Sequence, residues 1–382
     1  MMGFAGMMGA LALAIVPTQA RDAARAVIKV RGGDDAPADV RATTVDAKVF
    51  AGRTRLAVLP FVVPSADASL ASQETGGMDS IAADLRYVPA YLIVDRTEVL
   101  AALRRQAKAH GGLASDLPAI AAELGVKALI VGNETAHGAN LSIELTYLQI
   151  VGKEAKAVAT SSVSGPKSDI YHLEDKALLG LLAELKTTPA ADRIAEMTKI
   201  PTHSFDARSH ADAGFAVLDQ VAGLDHADGT FATLNKKALE HAKASIKADR
   251  NNLPAYLLRA SGLHNLGSST ELKDCLESAR KKNDPSRADL LTGFELEGDY
   301  LAFHDGQFAD AAKQYEKILA YDPGNLHALW SLIGLYSGDY GAVEFARAPT
   351  AKQAASRYAA QLIQAHPSSA AAEVFTPKPS QP

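Results

Sequence analysis

The groups able to do chemistry in this 382-residue chain are 11 histidines, 44 acidic residues and a single cysteine. The closest histidines, His203 and His210, lack the three- or four-residue spacing that would put two metal ligands on one helix face. HADG at 226–229 has the outline of a calcium loop, but without alternating acids or a closing Glu it reads as a turn. Asn133-Glu134-Thr135 and Asn140-Leu141-Ser142 have glycosylation spacing, which matters only in a eukaryotic secretory host. Glu134 and Glu174 are carboxylates that a fold could bring together; spacing does not decide it, and carboxylates on a solvated face are far commoner. The chain contains no G-x-S-x-G, H-E-x-x-H, G-x-x-x-x-G-K or G-x-G-x-x-G motif. Cys275 alone excludes an intrachain disulfide, and within a helical pattern it reads as a small apolar filler. No catalytic, cofactor-binding or metal-binding residues are therefore expected, and the expectation is a protein that binds without catalysis.

Composition narrows the partners. With 39 basic against 44 acidic residues the net charge is −5, and no basic stripe is present to hold a phosphate backbone, so nucleic acid is not an expected partner. The length and the 47% hydrophobic content suit two domains with separate cores.

The elements that would position any site follow from the patterning. Residues 1–20, MMGFAGMMGALALAIVPTQA, form an apolar run ending in small residues before Arg21, the pattern of a secretory signal cleaved after Ala20, although no Lys or Arg precedes the apolar core. Gly and Pro leave the run too short and broken to span a membrane, and no cysteine follows closely enough to carry a lipid. An exported chain, periplasmic or associated with the outer envelope, with no transmembrane span once mature, is expected. Residues 21–53 read as a flexible tether.

From Thr54, TRLAVLPFVV carries apolar residues on both parities, as a strand covered on both faces does. Gly77–Tyr87 predicts a helix with Met78, Ile81 and Leu85 on one face, AYLIVDR a second buried strand, and TEVLAALRRQAKAH a helix capped by Thr97. SDLPAIAAELG predicts a helix with Ser115 or Asp116 as cap, Pro118 in its first turn and Gly125 as its stop. VKALIVGNE is a third strand. NLSIELTYLQIVG alternates for most of its length, Leu141, Ile143, Leu145 and Tyr147 against Ser142, Glu144 and Thr146, and KAVATSSVSG completes a hairpin after a Gly-Lys turn. DIYHLEDKALLGLLAELK is an amphipathic helix that can close the sheet. The expected fold is a small α/β sandwich over 54–187, then a linker over 188–206 and an all-α array over 207–365.

That array rests on GQFADAAKQYEKILAYDP, where Gly306, Phe308, Ala311, Tyr315, Ile318, Leu319 and Pro323 supply small residues for helix contacts, an aromatic for the gap and a proline stop. The spacing resembles the second helix of a tetratricopeptide repeat, and the frame extends both ways at a period near 34 residues. Ala260, Leu263, Gly267, Leu272, Leu276 and Ala279 fit one earlier unit, with Ser269 at the turn aromatic, and Ala238, Ala242, Ser245 and Ile246 fit a second helix before that. Leu332, Ile333 and Tyr336 fit a first helix, and SGDYGAVEFA a loose turn and second helix. Three to four degenerate repeats stacked as a helical solenoid are expected. In such an array the first helices line a concave groove, which the resemblance assigns to Leu257, Ser261, His264 and Asn265 in one repeat and to His327, Trp330, Gly334 and Ser337 in another. Trp330, the chain's only tryptophan, fits a peptide anchor or a packing element between repeats, packing being the commoner role.

AVLPF, LIVDRTEVLAALRRQ, LPAIAAELGVKALIVGNETAHGANLSIELTYLQIVGKEA and DIYHLEDKALLGLLAEL resemble the α/β domain shared by the curli-secretion channel subunit, FlgO-type flagellar outer-membrane proteins and TolB amino-terminal-like domains. Val94-Asp95-Arg96 and Gly125-Val126 fill two of that family's segments, while Gln149–Glu154 replaces a third without its Asp and Thr. The hairpin over 141–164 is too short to build a membrane barrel, so a pore is not implied. The resemblances imply a bacterial cell-envelope scaffold or adaptor whose repeats bind a protein or extended peptide and whose α/β domain docks or self-associates. A small-ligand sensor is the alternative. The tail, 366–382, reads as disordered by its Ala, Ser and Pro content.

Overall fold

Alternating apolar residues and glycine turns produce one mixed sheet. In the computed structural model the described residues are 50–367 apart from 51, 65–69, 71, 110–115, 222–223 and 283–286. The expected leader, most of the tether and the tail beyond residue 367 lie outside them. The described residues form two compact units that divide between Gly293 and Phe294.

The first unit opens with β1 (Thr54–Val58), α1 (Gln73–Leu85), β2 (Tyr91–Ile93), α2 (Arg96–Ala109), α3 (Leu117–Leu124), β3 (Ala128–His137), β4 (Asn140–Val151), β5 (Glu154–Pro166) and α4 (Ile170–Glu184). The sheet order is β2-β1-β3-β4-β5. β1 runs parallel to both neighbours, Leu56 lying opposite Ile93 on one side and Ala128 on the other, and its residues Leu56 to Val58 are buried, as in a central strand covered on both faces. β3, β4 and β5 are antiparallel. Their two tight turns carry Gly138 and Gly152 at φ +64 and +63, a region that disfavours a side chain. On β4, Leu141, Ile143 and Leu145 are buried while Ser142 and Thr146 bond across to Ser164 and Thr160 on the other face. A bulge opposite Tyr147 and Leu148 ends that alternation. α4 packs on β4 and β5, closing the sheet as the amphipathic pattern predicts.

Two helix starts differ from expectation. Asp95, not Thr97, accepts the Thr97 amide at 2.8 Å, because the helix begins at Arg96 and its cap must stand before it. α1 begins at Gln73, so Gly76 and Gly77 lie inside it. A Cβ at Gly76 would stand 2.5 Å from Asp212 Oδ2, and one at Gly77 2.6 Å from the Phe61 ring, so the glycines are contact points and not the start signal they resemble. By contrast α3 follows its signals: Asp116 accepts from the Ala119 amide and Gly125 takes the left-handed conformation after the last turn.

Helices α5 (Ala191–Met197), α6 (Phe205–Val221), α7 (Gly229–Ala248), α8 (Leu253–Asn265) and α9 (Ser269–Arg280) follow in the same unit, with α6 packing on α7, α7 on α8 and α8 on α9. Asp228, from HADG, accepts the Thr230 amide at 2.7 Å and so caps α7, the turn role its sequence suggests. The crossings use small residues: a Cβ at Gly214 would stand 2.2 Å from Leu258, and one at Gly262 2.9 Å from Leu239.

α10 (Arg287–Phe303) contains the division between units. The second unit holds its last turns with α11 (Phe308–Tyr321), α12 (Leu326–Ser337) and α13 (Ala351–Ala365). Gly306 turns the chain at φ +64, and Ala311, Tyr315 and Ile318 are fully buried. SGDYGAVEFA does not form the expected second helix. It folds as two 3₁₀ turns, Asp339–Gly341 and Phe345–Arg347, because Gly338, Tyr340 and Gly341 all take positive φ, and Pro349 then bars continuation toward α13. At the start of the expected tail, His366 is buried with its ring against the Gly324 carbonyl oxygen. The chain is thus an α/β region followed by a helical region, and among the described residues no helix is long and apolar enough to cross a membrane.

Candidate functional site

The densest polar chemistry is a buried charge cluster in the first unit, assembled from a strand and three helices. Glu134 reaches it because even-numbered residues of β3 share the face that Gly132 presents to Phe61. Glu174 reaches it because it shares an i, i+4 stripe with Ile170, Leu178 and Leu181 on α4. Arg208 and Asp212, one turn apart on α6, stand in the stripe of Ala207, Ala211 and Gly214. Gln73 and Asp84 come from the two ends of α1.

Arg208 Nη1 and Nη2 donate to the two oxygens of Glu174 at 2.6 and 2.7 Å, Nε donates to Asp212 at 3.1 Å, and the guanidinium lies 4.0 Å from the centre of the Tyr171 ring. Gln73 adds a bond of 3.1 Å to Asp212. Burial works against the Arg208 charge, but Glu174, Tyr171 and Asp212 outweigh it and hold its pKa well above the ordinary value. Burial raises Glu174 and Asp212, with Arg208 opposing in each case.

The remaining carboxyls have no such cation. Glu134 is 0% exposed and neither oxygen has a hydrogen-bond partner; burial, and then the charge of Glu174, push its pKa well above the carboxylate range. Asp84 on α1 and Asp175 on α4 hydrogen-bond each other. Burial and neighbouring acids raise Asp84 well above its usual value and Asp175 to about 7. At the cluster's rim Arg96 forms ion pairs with Asp79 and Asp219.

Glu134 and Glu174, separated by forty residues, do come within electrostatic reach. An acid–base pair needs a substrate beside it, whereas these two are sealed in and Glu174 is fully occupied by Arg208. What the arrangement does is tie α1, α4 and α6 to one another over β3. The sequence reading passed over Arg208, Asp212, Asp84 and Asp175; the available signal was a charged residue standing in an apolar stripe of α4 and of α6.

The residues assigned to a groove fall on α8 and α12. On α8, Leu257 is buried, Ser261 Oγ bonds back to the Leu257 carbonyl oxygen at 3.0 Å, and Asn265 donates to Asn235 of α7 at 2.9 Å; Ser261, His264 and Asn265 are each half-buried. On α12, His327 is buried and its Nε2 stands 2.9 Å from Asp299, which also accepts from Tyr315 at 2.7 Å. Trp330 is 8% exposed and bonded to the Tyr340 hydroxyl, a Cβ at Gly334 would stand 2.4 Å from the Tyr340 ring, and Ser337 is half-buried. In this conformation the side chains of Leu257, His327 and Trp330 hold helices together, while Ser261, His264, Asn265 and Ser337 retain partial access to solvent.

His203 and His210 are kept apart. The ring of His203 lies 6.4 Å from that of His172, and the ring of His210 lies 5.9 Å from that of His241. Among the described residues no group of three or more His, Cys, Asp or Glu is placed to hold a metal ion. Cys275 is buried, its thiol directed at the Tyr256 carbonyl oxygen, and burial pushes its pKa up to about 11. No protein-family model and no curated protein matches this chain.

Proposed function

We propose that this chain is a non-catalytic scaffold or adaptor of a bacterial cell envelope, in which repeat-like helix pairs bind a protein or extended peptide and the α/β region docks or self-associates. The observation that carries this reading is the way helices cross: in each unit a glycine on one helix accepts a large side chain of a neighbouring helix, Gly214 of α6 with Leu258 of α8, Gly262 of α8 with Leu239 of α7, and Gly298 of α10 with Tyr315 of α11. Small-to-large contacts at successive crossings are what stacked tetratricopeptide-like pairs use, and they support a solenoid of such pairs. The sealed state of the charge cluster favours a binding role over catalysis. The resemblance of 54–187 to curli-channel and TolB amino-terminal-like domains, with the apolar leader, supports the envelope as its place of work.

The test is affinity purification of the tagged chain from fractionated cells of its native host, beside a variant carrying Ser261→Glu, His264→Glu and Asn265→Asp, with mass spectrometry and light scattering. A stoichiometric envelope partner that the variant loses, or a defined homo-oligomer, is the expected result. A lone monomer recovered from the cytosol would overturn both the scaffold and its location.

A further inference from the structure

The first unit buries four carboxyl groups, Asp84, Glu134, Glu174 and Asp175, with Asp212 half-buried beside them, around one fully buried cation, Arg208. Arg208 is committed to Glu174 and Asp212. Three carboxyls are left: Glu134, which has neither a donor nor solvent, and Asp84 with Asp175, which can hydrogen-bond each other only through a proton. A carboxylate sealed from water without a cation or a donor is far less stable than its neutral acid.

We propose that Glu134 and the Asp84–Asp175 pair form a proton-retaining clamp: α1 is held against α4 and the sheet while these three carboxyls share at least two protons, and is released as the protons leave. Among the described residues Arg208 is the only cation acting on Glu134, Asp84 or Asp175, and Arg96 at the rim is paired with Asp79 and Asp219. α4 presents Glu174 and Asp175 to α1, α6 presents Arg208 and Asp212, and β3 presents Glu134. The one charged residue of β1, Arg55, is tied to Glu98, and β2 offers only Tyr91, bonded to Thr187. On the elements packed against α4, Glu144, Glu154, Lys156 and Asp169 are exposed, and Lys167 lies over the Phe205 ring. Gly77 brings α1 so near that even a Cβ would stand 3.1 Å from Glu134 Oε1, so a charge forming there pushes directly on α1.

The sign follows from proton counting. Between the unfolded carboxylate range and the raised folded value, the native unit binds more protons than the unfolded chain, so its stability falls as pH rises through that interval. With Asp175 at about 7, this group alone increases the opening constant about 50-fold from pH 5 to pH 7. Most surface carboxylates act in the opposite sense.

Hydrogen exchange of the α1 amides in the full chain, corrected for intrinsic exchange and measured from pH 5 to pH 9, tests the clamp. The opening constant is expected to rise with pH in the wild type, and to rise less in Asp175→Asn and in Glu134→Gln, whose amides imitate the neutral acids and leave only the remaining carboxyls to titrate. A flat wild-type profile, or variants that keep the wild-type slope, would overturn it. Should a variant fail to fold, ¹³C titration of the wild-type carboxyls decides: at least two titrating near or above pH 7 are expected, and none doing so refutes the clamp.

Discussion

Arg208 and Glu174 face each other as a planar bidentate pair, 2.6 and 2.7 Å between their atoms, with Arg208 1% and Glu174 0% exposed. Removing one member strands the other charge without water, which costs about 3–5 kcal/mol, whereas removing both costs less than the sum. Arg208→Met should therefore lower the urea stability of the chain by about that amount, and Glu174→Leu with Arg208→Met should recover part of it. A single variant that unfolds within about 0.5 kcal/mol of wild type would show that the pair is not what holds α4 to α6.

Gly76 and Gly77 set the distance of α1 from α6 and from the sheet. Alanine favours a helix by about 1 kcal/mol over glycine, yet here it must displace the Asp212 carboxylate or the Phe61 ring. Gly77→Ala is expected to destabilise by about 1–3 kcal/mol in chemical denaturation, and Phe61→Leu in the same chain to restore part of the loss. A stabilised Gly77→Ala would mean that α1 can shift away freely.

Trp330 reports on the second unit without any label, since the chain has no other tryptophan. Its burial and its bond to Tyr340 predict native emission well to the blue of the unfolded chain and weak quenching by acrylamide. Free access of the quencher to the folded protein would return Trp330 to the role of an exposed peptide anchor.

Asp299 accepts from both Tyr315 and His327, joining α10, α11 and α12 through one carboxylate. Tyr315→Phe keeps the ring packing and removes one donor, so a loss of about 1–3 kcal/mol in stability is expected. The readout is the tryptophan signal of thermal unfolding, because Trp330 lies one turn from His327 on the same helix.

Cys275 should resist thiol reagents in the native state, because burial holds its pKa at about 11 and its access is closed. Labelling at pH 8 is expected to follow unfolding, complete in denaturant and slow without it. Rapid native labelling would place α9 in frequent local opening.

Local rules were legible wherever a signal is short-ranged. The cap of α3, read as Ser115 or Asp116 and found at Asp116, its Gly125 stop, the two-faced alternation of Leu141 to Leu145 and the glycine turn at 152 act between residues adjacent in the chain, so their chemistry is complete in the sequence. SGDYGAVEFA misled because its small and apolar residues fit a helix, while its glycines and Pro349 required turns. Gly76 and Gly77 misled because a contact glycine and a boundary glycine are the same letter until the opposing Asp212 and Phe61 are known.

The charge cluster belonged to the tertiary structure. Each of its acids was visible as a letter, and a close reading of the stripes on α4 and α6 would have found Glu174 and Arg208 out of place among apolar neighbours. That Glu134 would be left without a donor while Glu174 received two, and that Asp84 would meet Asp175, depends on where β3, α1, α4 and α6 converge. The sequence by itself determined the strands, most of the helices and the absence of recognised catalytic motifs, because periodicity and turn chemistry act over a few residues. The fold alone decided which carboxyls keep a proton, because that choice depends on desolvation and on charges brought together across the chain.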